Sequence, residues 1–197
     1  VLTAGRLYVN VTNWGLLGSR FSEISRYSDA PSGQWPGGSS DEYVFAAGLW
    51  VGGIAGGELC VSTGQPEAEF RPSPSPRATI YEAREGQIVR PAGNPGASGV
   101  RFFRADGDDD GDGVADEEVL NGYDDDGDGR IDEDFEQLGT QMMVCTMRDD
   151  EPLSRAQYPD HAPLHLEVVQ RAFSWQTEAE QDFVASARRL WRAGYDA

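Results

Sequence analysis

Residues 164–175 read LHLEVVQRAFSW, and this stretch decides the fold class. Its apolar residues Leu164, Leu166 and Val168 recur at every second position, which is the period of a β-strand with one buried face. Residues 142–147, MMVCTM, form a second run with the length and composition of a strand. We expect the two segments to pair with each other in one sheet.

Strand patterns also recur nearer the N-terminus. Residues 7–11 alternate apolar and polar side chains. Residues 43–54, YVFAAGLWVGGI, are the most apolar segment, and we expect them to form a central strand. Glycine pairs at positions 52–53 and 56–57 predict a hairpin that leads into a strand over residues 58–62.

The connections between these strands are long. Residues 16–41 are rich in Ser, Gly and Pro and predict a surface loop held in place by Phe21, Tyr27 and Trp35. Residues 65–77, which contain PSPSP, predict an extended, polyproline-like connection. With 24 glycines and 11 prolines in 197 residues, the chain favours strands and turns over helices.

Two segments have weaker patterns. Short strands are predicted for residues 80–83 and 87–89, on either side of a turn at Glu85 and Gly86. Residues 178–193 fit either a helix or a strand. Taken together, the patterns predict an all-β, β-sandwich-like fold with long loops.

The acidic residues are concentrated in one place. The chain carries 34 acidic and 16 basic residues, and 16 of the acidic ones lie between positions 106 and 136, where Arg130 is the only basic residue. A chain with a net charge of -18 repels the phosphates of nucleic acids and anionic membrane surfaces, so neither partner is expected. No apolar run is long enough to insert into a membrane.

An internal repeat of 16 residues fills this acidic stretch. Residues 108–118 read DDDGDGVADEE, and residues 124–134 read DDDGDGRIDED. Calcium takes about six to eight oxygen ligands, and carboxylates at alternate positions can curl round one ion because the intervening glycine permits a tight turn. Like charges at this density also need cations before they can become compact. The stretch therefore predicts an irregular calcium-binding insertion with two loops.

Each loop offers alternate carboxylates, one backbone carbonyl and a following carboxylate. In the first loop the predicted ligands are Asp108, Asp110, Asp112, the carbonyl of Val114, and Asp116. In the second loop they are Asp124, Asp126, Asp128, the carbonyl of Arg130, and Asp132. The residues predicted to close or bridge the two shells are Asp106, Glu117, Glu118, Asn121, Glu133 and Asp134.

The loops differ from an EF-hand loop, which has a bidentate glutamate at its twelfth position, where this chain has Val119 and Phe135. They resemble instead the aspartate repeats of thrombospondin type 3 and of bacterial DxDxDG proteins, in which neighbouring loops share ligands. We expect two or more ions, and we expect calcium because magnesium gives up its water reluctantly. A solvated acidic linker is the alternative.

The predicted domain division follows from the position of the loops. Residues 1–105 and 137–197 form a β-rich domain, and residues 106–136 are an insertion in it.

A disulfide is predicted, and three residues are candidates for glycosylation. Cys60 and Cys145 lie in strand-like runs, and we expect a disulfide that would add roughly 4 kcal/mol on the chain-entropy account. Two separate buried thiols are the alternative.

Asn10 begins an N-glycosylation pattern, and Ser73 and Ser75 stand where O-linked sugars are often attached.

Several phrases outside the loops occur together: VNVTNWGLLGS, QWPGGSSDEYVFAAGLWVGG, LCVSTG, and LHLEVVQRAFSW followed by EQDFV. As a set they resemble the N-terminal region of large secreted or surface proteins of Bacteroidetes-like and related uncultured bacteria, over about residues 5–185. The resemblance implies an extracellular or cell-surface β-sandwich component in which the run after Phe183 continues as a strand. We therefore favour a strand for residues 178–193.

No catalytic pattern is present, so an enzyme is not expected. His161 and His165 have the spacing of a metal-binding pair on a helix, but Pro159 and Pro163 favour a turn and a strand edge.

Two functional hypotheses remain. The leading one is a calcium-binding structural subunit of a surface fibre or filament. It would polymerise head to tail by lending the strand at residues 7–11 or the C-terminal run to a neighbour. The alternative is an adhesin module that binds glycans or another ligand through exposed Trp14, Trp35 or Trp50.

Overall fold

Strands dominate the regular structure of the protein. The computed structural model describes residues 1–18, 30–44, 47–65, 67–74, 78–84, 90–91, 112–115, 120–121, 124, 126–127, 129 and 135–192. The elements within these residues are β1 (Tyr8–Val9), β2 (Leu16–Leu17), β3 (Ser32–Gln34), β4 (Ala47–Gly48), β5 (Trp50–Ala55), β6 (Glu58–Thr63), β7 (Arg71–Pro72), β8 (Tyr81–Arg84), β9 (Arg90–Pro91), β10 (Gln141–Arg148), α1 (Pro152–Gln157), β11 (Leu166–Ser174) and β12 (Val184–Arg192). The described residues are thus mostly β with almost no helix, which confirms the all-β prediction, whereas a full sandwich stays a prediction.

The largest sheet contains β10 near its centre. Its strand order is β12-β11-β10-β8-β9, and β7 also pairs with β10. β10 and β11 run antiparallel, from Gln141 opposite Ser174 to Arg148 opposite Glu167, which confirms the pairing predicted for these two segments. Strands that precede and follow the acidic stretch therefore belong to one sheet.

β10 is buried on both of its faces. Met143, Cys145 and Met147 belong to one hydrophobic cluster, and Met142 and Val144 belong to another. Because successive side chains of a strand point to opposite faces, the two clusters lie on opposite faces of the sheet. Each face needs its own cover.

The N-terminal part of the chain covers the first face. Leu2, Val11 and Phe70 are buried in the cluster that contains Met143, and the partly buried Leu49 and Val51 pack against it. These residues come from segments outside the large sheet or at its margin. The first face of the sheet is therefore covered by side chains from several short elements and not from one long strand.

The segment predicted as a central strand, residues 43–54, is not one. β4 pairs with β2, and β5 pairs with β6, each in a separate sheet of two strands. Within β5, Gly52 and Gly53 provide no side chains, so the strand cannot fill a core on both faces.

The hairpin predicted at the end of this segment is confirmed. β5 turns into β6 at Gly56 and Gly57, whose φ angles are 61° and 87°, in the left-handed region that favours glycine. One face of the hairpin is turned to solvent, where Trp50, Ile54 and Leu59 are 64%, 73% and 81% exposed.

The N-terminal region has shorter strands than predicted. The strand expected over residues 7–11 is limited to β1, which pairs with β3. Residues 16–41, predicted as one loop, contain β2 and β3, because both strands find short partners. Phe21 and Tyr27, which were expected to hold that loop, lie outside the described residues.

Residues 65–77 were predicted as an extended connection, but part of this segment is a strand. β7 pairs with the end of β10, and Arg71 is 2% exposed. The guanidinium of Arg71 lies 4.5 Å from the ring centroid of Trp14 and 5.8 Å from that of Tyr158. This stacking fixes the segment to the core.

The two weaker patterns lead to strands. β8 overlaps the strand predicted over residues 80–83 and pairs antiparallel with β9, whereas the predicted turn at Glu85 and Gly86 and the strand predicted over residues 87–89 lie outside the described residues. Val184–Arg192 of the C-terminal run form β12, which confirms the preference for a strand over a helix there, whereas residues 178–182 form a turn before it.

Helix α1 was not predicted. It is short, begins with Pro152 at a position where a missing N–H costs nothing, and ends before Pro159. His161 and His165 follow it in irregular backbone, outside the helix, as predicted from the neighbouring prolines.

The predicted disulfide is not formed, and both cysteines are free and buried. The sulfur of Cys145 contacts the carbonyl of Thr12 and the amide of Gln170, whereas that of Cys60 contacts the carbonyl of Glu58. The two thiols therefore have separate partners, on the large sheet and on the β5–β6 hairpin. Burial raises the pKa of the Cys145 thiol to about 12, which keeps it in its unreactive form.

Candidate metal centre

The acidic stretch is fixed to the large sheet by two apolar residues. Leu120 and Phe135 are each 1% exposed and belong to the cluster that contains Met142 and Val144. They stand immediately before and after residues 121–134, which hold the second predicted loop. Both ends of that loop are therefore anchored in the second face of the sheet.

Asp124 organises the described part of the second loop. Its Oδ1 accepts a hydrogen bond of 2.6 Å from the N–H of Gly127, and its Oδ2 accepts one of 2.9 Å from the N–H of Gly129. A carboxylate that accepts backbone N–H groups a few residues ahead curls the chain around itself. The first acidic position of the repeat is therefore at the centre of a turn.

A related contact occurs in the first loop. Asp112 Oδ1 accepts a hydrogen bond of 2.7 Å from the N–H of Val114. Gly113, Gly127 and Gly129 have φ angles of 97°, 88° and 94°, and a Cβ at any of them would meet nothing within 4 Å. These glycines are needed for their backbone conformation and not for space.

Five of the predicted ligands are described. Asp112, Val114, Asp124 and Asp126 stand on these turns, and Val114 is 54% exposed, whereas Asn121 is 9% exposed beside Leu120. The predicted ligands that lie outside the described residues are Asp106, Asp108, Asp110, Asp116, Glu117, Glu118, Asp128, Arg130, Asp132, Glu133 and Asp134. Among the residues that are described, no three metal-binding side chains converge.

The donors that are present fit a hard cation. All of them are carboxylate, amide or carbonyl oxygens, and the predicted set contains no sulfur or imidazole. Calcium selects oxygen donors and tolerates irregular geometry, whereas zinc and copper select nitrogen and sulfur. The chemistry of the donor set therefore fits calcium.

The end of the acidic stretch is paired with β11. Arg171 Nη1 lies 3.6 Å from Glu136 Oε2, and both side chains are partly exposed. A pair of this exposure contributes little to stability, about 0–1 kcal/mol. Its importance is positional, since it places the acidic segment beside the sheet.

A second group of charged residues, which the sequence patterns did not reveal, lies in the core. The carboxylate of buried Asp149 accepts hydrogen bonds from Ser62 Oγ at 2.6 Å, from the N–H of Leu164 at 2.7 Å and from the N–H of Leu166 at 2.7 Å. It thus joins the β5–β6 hairpin to the end of β10 and the start of β11. No motif joins these residues in sequence, because the contacts form between distant positions.

His161 extends this polar group. Its Nε2 donates to the backbone carbonyl of Asp149 at 2.8 Å, since a carbonyl can only accept. Its Nδ1 lies 3.1 Å from Glu69 Oε1, outside hydrogen-bond geometry. The imidazole is buried, so its contacts are structural and offer no open position for a substrate or a metal.

Asp150, the neighbour of Asp149, has a different environment. Burial opposes its ionisation, but hydrogen bonds from Arg148 and His165 outweigh burial and lower the pKa of its carboxyl group. A lowered pKa in the folded state stabilises the fold above the ordinary carboxyl pKa, and this contribution is lost as the pH falls through the lowered value.

The three tryptophans considered for glycan binding are not equivalent. The ring of Trp14 lies under Arg71, and the ring of Trp35 lies under Arg6, at 5.1 Å. Trp35 Nε1 also donates to Asp182 at 2.9 Å. Trp50 is the one of the three that is more than half exposed.

Two of the predicted glycosylation sites are buried. Asn10 is 7% exposed and Ser73 is 1% exposed, which disfavours attachment of a glycan to either side chain in the folded protein. Ser75 lies outside the described residues.

Comparison of the sequence with protein-family models, with curated proteins and with solved structures found no match. In the described part of the chain, no helix is long and apolar enough to cross a membrane. The resemblance to bacterial surface proteins therefore stays a prediction, and function has to be inferred from the residues themselves.

Replacement of Asp124 by alanine tests the role of the second loop. We expect Asp124→Ala to bind about one calcium ion fewer than the parent, because the carboxylate that shapes the turn is lost. Isothermal titration with Ca²⁺ measures the stoichiometry. Asp160→Ala, which removes the same charge at an exposed position outside the acidic stretch, is the control and should bind like the parent. Unchanged binding by Asp124→Ala would contradict the assignment.

Proposed function

We propose that the protein is an extracellular calcium-binding structural module, and that it serves as a subunit of a bacterial surface fibre. The observation that carries this proposal is the repeated DxDxDG loop whose second copy is anchored at both ends in the core of the sheet. The aspartates supply the ligands, and Leu120 and Phe135 connect the loop to the fold.

Charge repulsion gives calcium a mechanical role. The 16 acidic residues between positions 106 and 136 repel one another, and this repulsion opposes closure of any loop that they form. Calcium removes the repulsion and supplies bonds that hold the loop closed. Each ion bound only by the folded form stabilises it by about 1.4 kcal/mol when free calcium is about tenfold above the Kd.

This arrangement suits the outside of a cell. Calcium sites of extracellular modules commonly have dissociation constants of about 10⁻⁴–10⁻³ M, and such sites fill only where calcium is abundant. The buried thiols do not decide the compartment, since neither takes part in a disulfide.

Assembly into a fibre requires contacts between copies. β1 pairs with β3 over only two residues, whereas β12 pairs with β11 over all nine of its residues. Lending β1 to a neighbour would therefore break fewer contacts than lending β12. Of the two strands predicted for exchange, β1 is the better candidate for a head-to-tail polymer.

Electron microscopy tests this function. With millimolar calcium we expect the full chain to form ordered filaments, which fray when EGTA removes the ion, because the self-repelling segment then loosens its hold on the sheet. Magnesium at the same concentration is the control and should not restore the filaments. Dispersed particles in both calcium and EGTA would contradict a fibre subunit.

Glycan binding at the β5–β6 hairpin is the second candidate function. It is favoured by the exposure of Trp50, whose indole Nε1 donates to the carbonyl of Gln65 and so has a fixed orientation. Aromatic rings held in this way can stack on a sugar.

A glycan panel tests this candidate. If it holds, the parent should bind a glycan and Trp50→Ala should lose at least tenfold in affinity, because the stacking surface is removed. Tyr43→Ala, which removes another exposed aromatic side chain, should leave binding unchanged. Absence of any glycan signal for the parent would rule against this function.

A further inference from the structure

The outer edge of β12 is the longest open strand edge in the described part of the chain. β12 ends the large sheet, each of its nine residues pairs with β11, and none of the described strands pairs with its other edge. An edge of this kind presents unpaired backbone N–H and C=O groups and is a template for another strand. β12 contains no proline, and its register with β11 is continuous.

The other end of the described sheet is less suited to such pairing. Its strand order ends at β9, Arg90–Pro91, and proline has no N–H to donate to a neighbouring strand. Among the described strands, β12 therefore offers the better edge for growth of the sheet.

We propose that β12 pairs antiparallel with β12 of a second copy of this chain, about a two-fold axis at Ala187. A two-fold axis between antiparallel strands places one residue opposite its own copy. Alanine at the centre is small and neutral, and Ala187 is exposed. The pairing joins the two large sheets into one continuous sheet.

The charges of β12 select this register. A centre at Arg188 or Arg189 would place a guanidinium opposite its own copy, and a centre at Leu190 would place Arg188 opposite Arg192. Like charges directly opposite each other destabilise a strand pair. A centre at Ala187 places no arginine opposite another arginine.

The apolar residues favour the same register. With the centre at Ala187, Val184 lies opposite Leu190, which is 40% exposed in the single chain. The next pair outward is Phe183, which is 44% exposed, opposite Trp191. Each of these pairs occurs twice because of the two-fold symmetry. A centre at Ser186 avoids the charges too, but it limits the pairing within the strand to residues 184–188.

The symmetry fixes the size of the assembly. The same edge is used by both copies, so the contact is isologous and closes in a dimer. A contact limited to one strand edge is smaller than the roughly 1,200–2,000 Å² of a standard stable interface. We therefore expect a dimer that depends on protein concentration. It does not involve the calcium loops, so it stands or falls separately from the proposed function.

Cysteine cross-linking tests both the contact and its register. In an antiparallel pair, directly opposite Cβ atoms are about 4.5–5.5 Å apart, close enough for a disulfide after a small adjustment. We expect Ala187→Cys to form a disulfide-linked dimer under mild oxidation, in calcium and in EGTA alike. Because Ala187 is exposed, this variant should fold like the parent.

Leu190→Cys is the matched control. In the proposed register Leu190 lies three residues from the axis, so the two introduced thiols are separated by six residues along the strand, about 20 Å. It should not cross-link alone, but it should cross-link when mixed with Val184→Cys. The parent, whose two thiols are buried, should stay uncross-linked. Cross-linking of Ala187→Cys no faster than that of Leu190→Cys would overturn the proposal.

Discussion

The burial of β10 on both faces is the constraint on which the rest of the structure depends. A strand whose side chains are apolar in both directions is stable only when each face is covered, because every exposed apolar side chain forfeits about 1.5–3 kcal/mol of burial. Leu2, Val11 and Phe70 cover one face. Leu120 and Phe135 contribute to the other, and they bracket the second loop of the acidic segment. The stability of the sheet therefore depends in part on how the acidic segment is held, because residues of that segment cover one face of β10. Calcium is the cation that the oxygen donors of the segment fit.

Sequence patterns were reliable where one periodicity acted alone. β10, β11 and their pairing follow from residues 142–147 and 164–175, and the β5–β6 hairpin follows from Gly56 and Gly57. The patterns failed where tertiary contacts decided the outcome. Residues 43–54 are strongly apolar, yet Gly52 and Gly53 provide no side chains to fill a core. The segment therefore lies partly in an exposed hairpin.

The turns of the candidate site could be predicted from a local sequence pattern, whereas its contacts with the sheet could not. Aspartates and glycines at fixed offsets predict turns, and Asp124, Gly127 and Gly129 form such a turn. The anchoring role of Leu120 and Phe135 could not be read from the sequence, because it depends on which face of which strand they reach. The polar contacts of Asp149 and His161 were hidden likewise, since they join residues with no shared motif. The disulfide prediction was wrong because strand-like surroundings do not specify which strands adjoin.

Hydrogen exchange of the backbone amides of β10, with calcium and with EGTA, tests the central claim most directly. The residues to follow are 141–148, which contain no predicted ligand and contact the acidic segment through the cluster of Leu120 and Phe135. If calcium closes the loop and thereby secures the cover of the second face, its addition will slow exchange in β10 as well as in residues 106–136. Slower exchange confined to residues 106–136, with β10 unchanged, would contradict the coupling of metal binding to the sheet.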